Sequence, residues 1–215
     1  MVSDPVAEPL LRWIPLLPLL AAVAHGVSLA VLRRPLQPGA TIALSCGSVL
    51  ASFALTCVAF ASLVNLPGGG GLLLDTTYTW IGAGIASSAF SADLAFQLDA
   101  LSAVMCLIVT GVGFAIHVYS VDYMRADERD DRGFQRYFAY LNLFIASMLV
   151  LVLADNLLLL FLGWEGVGLC SYLLIGFWYS DADNAYAGSK AFIVNRIGDF
   201  GFLVGILLLF WSLAD

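Results

Sequence analysis

Six stretches of this chain, at about 13–32, 40–64, 101–121, 138–154, 156–179 and 191–213, are dominated by apolar residues. Each meets or approaches the roughly 20 residues that a helix needs to cross a hydrocarbon layer about 30 Å thick. Of the 215 residues, 61% are hydrophobic and 12% charged, against roughly 45–50% and about 25% in soluble domains. That leaves too little polar surface to face water. In lipid each backbone N–H and C=O has to be satisfied within the protein, which restricts such stretches to helices. The expected fold class is an all-α membrane protein of about six transmembrane helices, with 65–100 as an outer loop.

The first stretch has a second reading. Leu16 to Ala24, with small residues at Ala21, Ala22 and Ala24, resembles a signal-peptide core. No Lys or Arg precedes Arg12, however, and Arg33 and Arg34 follow the stretch directly, as in a retained helix. Basic residues also orient the remainder. Arg125, Arg129, Arg132 and Arg136 fall in the third loop and Lys190 closes the fifth, whereas loops two and four hold neither Lys nor Arg. Positive residues mark the cytoplasmic side, so the odd loops are expected inside and both termini outside. In loop two, Thr76 to Trp80 is rich in β-formers, Gly82-Ala83-Gly84 offers a turn and Leu94 to Leu98 partly alternates. A short outer β-hairpin is expected there. The glycine run 68–71 keeps an irregular loop as the alternative.

The most informative residues are the polar ones inside the apolar stretches. A charge at mid-membrane costs roughly 2.5–3.5 kcal/mol on insertion scales and usually faces protein or a water-filled cavity. Glu165 lies in Gly163-Trp164-Glu165-Gly166-Val167-Gly168, nine residues past Asn156, or about 14 Å along a helix. Its surrounding glycines allow a helix backbone or water to approach. A carboxyl at that depth is either a proton-exchanging group or half of a structural ion pair. Asn195, Arg196 and Asp199 share one face of the sixth stretch at helical spacing. Arg196 and Asp199 form either a self-neutralising pair or one that modulates a proton site. Lys190 stands at the inner boundary, where its stem can snorkel. His117 suits a proton relay or a packed, hydrogen-bonded position, and His25 reads as packing. Asp99 reads as an interface residue. Cys46, Cys57, Cys106 and Cys170 lack the clustering of an iron–sulfur or zinc site. No basic stripe with aromatics points to nucleic acid.

The stretch LADNLLLLFLGWEGVGLCSYLLIGFWY, from Leu153 to Tyr179, closely resembles the subunit L (chain 5) family of proton-pumping NADH:quinone oxidoreductase, respiratory complex I. So does KAFIVNRIGDFGF, from Lys190 to Phe202, and the segments 96–105, 111–124 and 136–148 resemble that family too. The resemblance is strong from about 95 to 213 and weak before 90. It implies an antiporter-like membrane subunit taking part in proton translocation, with Glu165 at the family's key glutamate of the fifth helix and Arg196 and Asp199 at its charged pair. It implies no redox centre on this chain; flavin, iron–sulfur clusters and quinone belong to other subunits, and the partners are the other membrane subunits of the complex. A multi-pass place in a bacterial-type inner membrane follows. Family members are about three times longer, and their essential lysine of the seventh helix would lie beyond Asp215. An N-terminal piece is therefore expected, one that inserts but does not by itself translocate protons. A subunit of a cation/proton antiporter or membrane hydrogenase, or a truncated remnant, are the alternatives.

Overall fold

A computed structural model describes residues 6–66, 71–83, 90–127 and 131–213. Most of the glycine run (68–70), the end of the expected turn at Gly84, and Glu128, Arg129 and Asp130 of the third loop lie outside the described residues. The elements run β1 (Val6–Ala7), α1 (Trp13–Gly26, continued by a π-helical turn, Val27–Val31), α2 (Pro38–Val64), β2 (Leu73–Ala83), β3 (Phe90–Leu98), α3 (Ala100–Asp127), α4 (Asp131–Leu153), α5 (Leu157–Ile175) and α6 (Ala182–Leu213). Among the described residues six helices are long and apolar enough to cross a membrane. They correspond one for one to the six apolar stretches.

The helix ends differ from the stretches because hydropathy marks the lipid-immersed part of a helix and not its full length. α6 begins nine residues before Ala191, on an Ala-rich segment started by Asp181, whose Oδ1 accepts the Asp183 N–H at 2.9 Å. α3 and α4 likewise run on into the third loop. α5 is shorter than its stretch: Asn156 caps the start through the Leu159 N–H, 3.0 Å, and Gly176 ends it. α1 ends where Leu32 N–H reaches back five residues to Val27 C=O at 3.0 Å. Arg33 follows with φ of 54°, in the left-handed region.

β2 and β3 pair antiparallel as the hairpin, and the unforeseen strand β1 adds parallel to β2. The sheet is fastened on two sides. Arg12, just before α1, grips the buried Asp75 of β2 through backbone N–H, Nε and Nη2. β3 holds the α4–α5 turn, with Asp155 N–H donating to Ala95 C=O (3.2 Å) and Asn156 Nδ2 to Asp93 C=O (2.8 Å). Loops two and four thus share one face of the bundle. At the other end Leu36 N–H donates to Gln135 Oε1 (2.8 Å), Arg132 to Arg33 C=O (3.2 Å) and Arg136 to Phe177 C=O (3.4 Å), which groups the odd loops.

α4 lies at the centre and packs against α1, α2, α3 and α5, whereas α6 packs on α5 alone among its major contacts. The face that α2 buries carries four hydroxyls, Thr41, Ser45, Ser52 and Thr56, beside Val49, Ala59 and Leu63, while Leu50, Val58 and Phe60 face outward. Lipid is as apolar as leucine, so helices here associate through small side chains and hydrogen bonds. Such links tie α2 to its neighbours: Ser45 Oγ to His25 Nε2 at 2.8 Å, Ser52 Oγ–H to Ile14 C=O at 2.8 Å and Ser48 Oγ–H to Asn142 Oδ1 at 2.9 Å.

Candidate functional site

α5 meets α4 through glycine. A methyl at Gly163 would lie 2.5–2.8 Å from the Leu151 N, Cα and Cβ, and one at Gly166 only 2.6 Å from Ser147 Oγ. These two glycines therefore press α5 onto α4, and it is the space beside Gly168 that stays open. A second close approach joins α6 to α5, where a methyl at Gly188 would meet Gly176 N at 3.1 Å. With both contacts made, Glu165 and Trp164 face the middle of α6.

There the two charged groups pair across the helices. Arg196 of α6 forms an ion pair with Glu165 of α5, and its guanidinium stands 4.7 Å from the Phe192 ring centroid. Phe192 in turn packs on Tyr172, centroids 5.3 Å apart. Arg196 is thus partnered between helices and not, as the three-residue spacing suggested, with Asp199. Asp199 is buried and accepts a hydrogen bond from the Trp164 indole Nε1–H at 2.7 Å. Phe202 closes over Trp164 with centroids 5.7 Å apart. A hydrogen bond contributes about 0.5–1.5 kcal/mol net, and this one holds the Asp199 carboxyl against the indole.

A mostly apolar cleft of about 500 Å³ lies between α5 and α6, with Trp164, Val167 and Ser171 on one wall, Val194, Asn195, Asp199 and Phe202 on the other, and Met148 and Leu151 of α4 completing it. The ion pair lies on the other flank of the seam, where Arg196 lines a shallower groove with Phe192, Ile193, Ile197 and Phe200. The site has two chemically different sides: an acid–amide–indole cleft able to hold water, and a carboxylate–guanidinium pair. In the first, the indole N–H donates to the carboxyl of Asp199; in the second, the cation is permanent, because a guanidinium keeps its charge.

The other anticipated residues are elsewhere. His117 is on α3, which packs on α2 and α4 and is separated from α5 and α6 by α4. It is fully buried, with Nδ1 2.8 Å from Gly113 C=O and Nε2 without a hydrogen-bond partner. Lys190 is exposed on α6, nine residues before Asp199, or roughly 13 Å along the axis. His25 is fully buried between Ser45 Oγ and Gln135 Nε2, 2.8 and 3.3 Å away. Asp99, outside the membrane span, is the N-cap of α3: Ser102 N–H and Oγ–H both donate to its Oδ1 at 2.7 Å, and this holds its carboxyl below the usual carboxylate range. Trp164 went unremarked in the sequence, although an indole one residue from a membrane glutamate carries a donor that needs a partner. Among the described residues no group of three His, Cys, Asp or Glu side chains could hold a metal.

Residues 80–138 match the family described as NADH-ubiquinone oxidoreductase (complex I), chain 5 N-terminus, and residues 154–215 match NADH:quinone oxidoreductase/Mrp antiporter, TM. NADH-quinone oxidoreductase subunit L of Mycobacterium tuberculosis (strain CDC 1551 / Oshkosh) is 47% identical over 78% of this chain and 25% of its own length. Subunit L of Escherichia coli (strain K12) is 53% identical over 64% of this chain and 21% of its own. NAD(P)H-quinone oxidoreductase subunit 5 of Paulinella chromatophora is 40% identical over 94% and 29%. The chain spans about a quarter of the length of these relatives.

Proposed function

Because the chain belongs to the chain 5 (subunit L) family of NADH:quinone oxidoreductase, we propose that it acts in proton translocation coupled to electron transfer from NADH to quinone. Glu165 carries the proton and Arg196 governs when it can. The observation that carries this reading is the interhelical Glu165–Arg196 pair at mid-helix, beside a second carboxylate three residues from Arg196. When the guanidinium shifts from Glu165 to Asp199, the bare Glu165 carboxylate accepts a proton from hydronium and leaves water. Its return displaces that proton to a water molecule, which leaves as hydronium, and restores the Glu165 carboxylate beside the guanidinium. The shift carries the Arg196 guanidinium from the groove it lines with Phe192 and Ile197 across the seam to the cleft that Asp199 lines, and it releases the Trp164–Asp199 hydrogen bond. Electron transfer, with flavin, iron–sulfur clusters and quinone, takes place on other subunits, and the other membrane subunits of the complex are the partners. Lys190 and His117 would serve as entry and relay groups outside the α5–α6 seam.

In the assembled complex, Glu165→Gln should abolish most NADH-driven acidification of vesicles, measured with a pH-sensitive dye, at normal assembly. The swap keeps size and hydrogen bonding and removes titration. Undiminished proton flux per NADH oxidised would take Glu165 out of the path. One observation favours a second reading, since residues 154–215 match a description that includes Mrp antiporters. A sodium gradient that drives proton flux without NADH would support it.

The basic residues of the odd loops support an inner membrane with those loops facing the cytoplasm and the N-terminus outside. In a cysteine-free background a cysteine at Thr79 should react with impermeant maleimide from outside and one at Ser180 should not. The opposite pattern would invert the orientation.

A further inference from the structure

At the opposite end of the bundle from the sheet, α4, α5 and α6 enclose a pocket of about 190 Å³, bordered by Arg136, Tyr140, Tyr172, Tyr179 and Ser189. Arg136 lies on α4 just outside the apolar stretch that starts at Phe138, and so at the membrane boundary. Its guanidinium is held without being neutralised. The Cζ stands 4.6 Å from the Phe177 ring centroid and 5.1 Å from that of Tyr179, and Nη2 donates to Phe177 C=O at 3.4 Å. Phe177 is itself buried and braced edge-on by Tyr137 and Tyr140. Among the described residues no carboxylate forms an ion pair with Arg136, and its Nε is buried with no hydrogen-bond acceptor. A fork of five N–H donors, fixed by two rings and short of acceptors, selects a planar or tetrahedral oxyanion.

We propose that this pocket binds the phosphate headgroup of an anionic phospholipid. The arginine contributes the charge, and Tyr140, Tyr172, Tyr179 and Ser189, each with a hydroxyl, line the same space. Basic pockets between transmembrane helices suit such headgroups. The level also agrees, because the exposed Trp178, Tyr179 and Tyr186 form the aromatic fringe that marks a membrane–water interface. Acyl chains would then run beside the exposed Ile193 and Ile197 of α6. A free phosphate offers the same oxygens without the chains.

The test uses the whole 215-residue chain in dodecyl maltoside, titrated with dioleoylphosphatidylglycerol, dioleoylphosphatidylcholine or sodium phosphate and followed by thermal denaturation and native mass spectrometry. Phosphatidylglycerol should bind roughly tenfold more tightly than phosphatidylcholine, a difference of about 1.4 kcal/mol. Arg136→Gln should erase that preference. Ser189→Asp, at an exposed helical position, should erase it too by placing a carboxylate beside the guanidinium, and this variant decides the matter should Arg136→Gln misfold. Equal binding of the two lipids by the wild type, or an undiminished preference in Ser189→Asp, overturns the proposal. Displacement of phosphatidylglycerol by low millimolar phosphate overturns the lipid assignment in favour of a free anion.

Discussion

The Glu165–Arg196 pair makes a quantitative prediction through a double-mutant cycle of Glu165→Gln and Arg196→Gln. At contact, about 4 Å, two unit charges attract by about 4 kcal/mol at an effective dielectric constant of about 20. The side chains of Glu165 and Arg196 are 21% and 44% exposed, and exposed pairs in water contribute only about 0.2–1 kcal/mol. The open side of Arg196 faces Phe192, Ile193, Ile197 and Phe200, a surface suited to hydrocarbon and not to water. Screening is then partial, and a coupling of about 2 kcal/mol is expected. The double change should destabilise less than the sum of the two single changes, because each single change strands one charge and the double change strands none. The four proteins would be unfolded in mixed micelles of rising sodium dodecyl sulfate fraction and followed by tryptophan fluorescence. If Arg196 exchanges between two acids, adding Asp199→Asn to all four proteins removes the competitor, and the coupling should rise. A coupling below about 0.5 kcal/mol would refute the idea that the pair is shielded from water. An unchanged coupling in the Asp199→Asn background would refute exchange.

Gly163→Ala should destabilise the chain by roughly 1–3 kcal/mol, the range for overpacking, because its methyl would overlap the Leu151 backbone. Gly168→Ala, with nothing within 4 Å, should be neutral or slightly stabilising in the same unfolding assay; equal effects would refute the assigned packing faces. Asp99→Ala should cost about 1 kcal/mol at neutral pH, as lost N-caps do. Since the folded carboxyl is held low by Ser102, the wild-type advantage is full above the ordinary aspartate value of about 3.9 and is lost as pH falls through the depressed one. A stability difference that stayed constant down to pH 2 would show that the cap does not depend on the charge.

How far the sequence alone reaches follows from which forces act locally. The six helices were readable because twenty apolar residues in lipid have one backbone solution, whatever their neighbours. The sidedness of the loops was readable in part: the structure places loops two and four together at the sheet and the odd loops together at the other end, as alternation demands. Glu165, Arg196 and Asp199 were legible as candidates because charge at depth needs a partner. Which partner was not legible. Helical spacing brings Arg196 and Asp199 to one face and permits their pairing, but the close approach of α5 to α4 at Gly163 and Gly166, and of α6 to α5 at Gly188, sets Glu165 within reach of the guanidinium first. The indole of Trp164 then occupies Asp199. The hydroxyls on the buried face of α2 were present in the sequence as Thr41, Ser45, Ser52 and Thr56 at intervals of about one or two turns, a period hidden by the apolar mean. Hydropathy averages over all faces of a helix, whereas partner choice depends on the direction of single side chains once helices are packed, and tertiary structure alone supplies that direction.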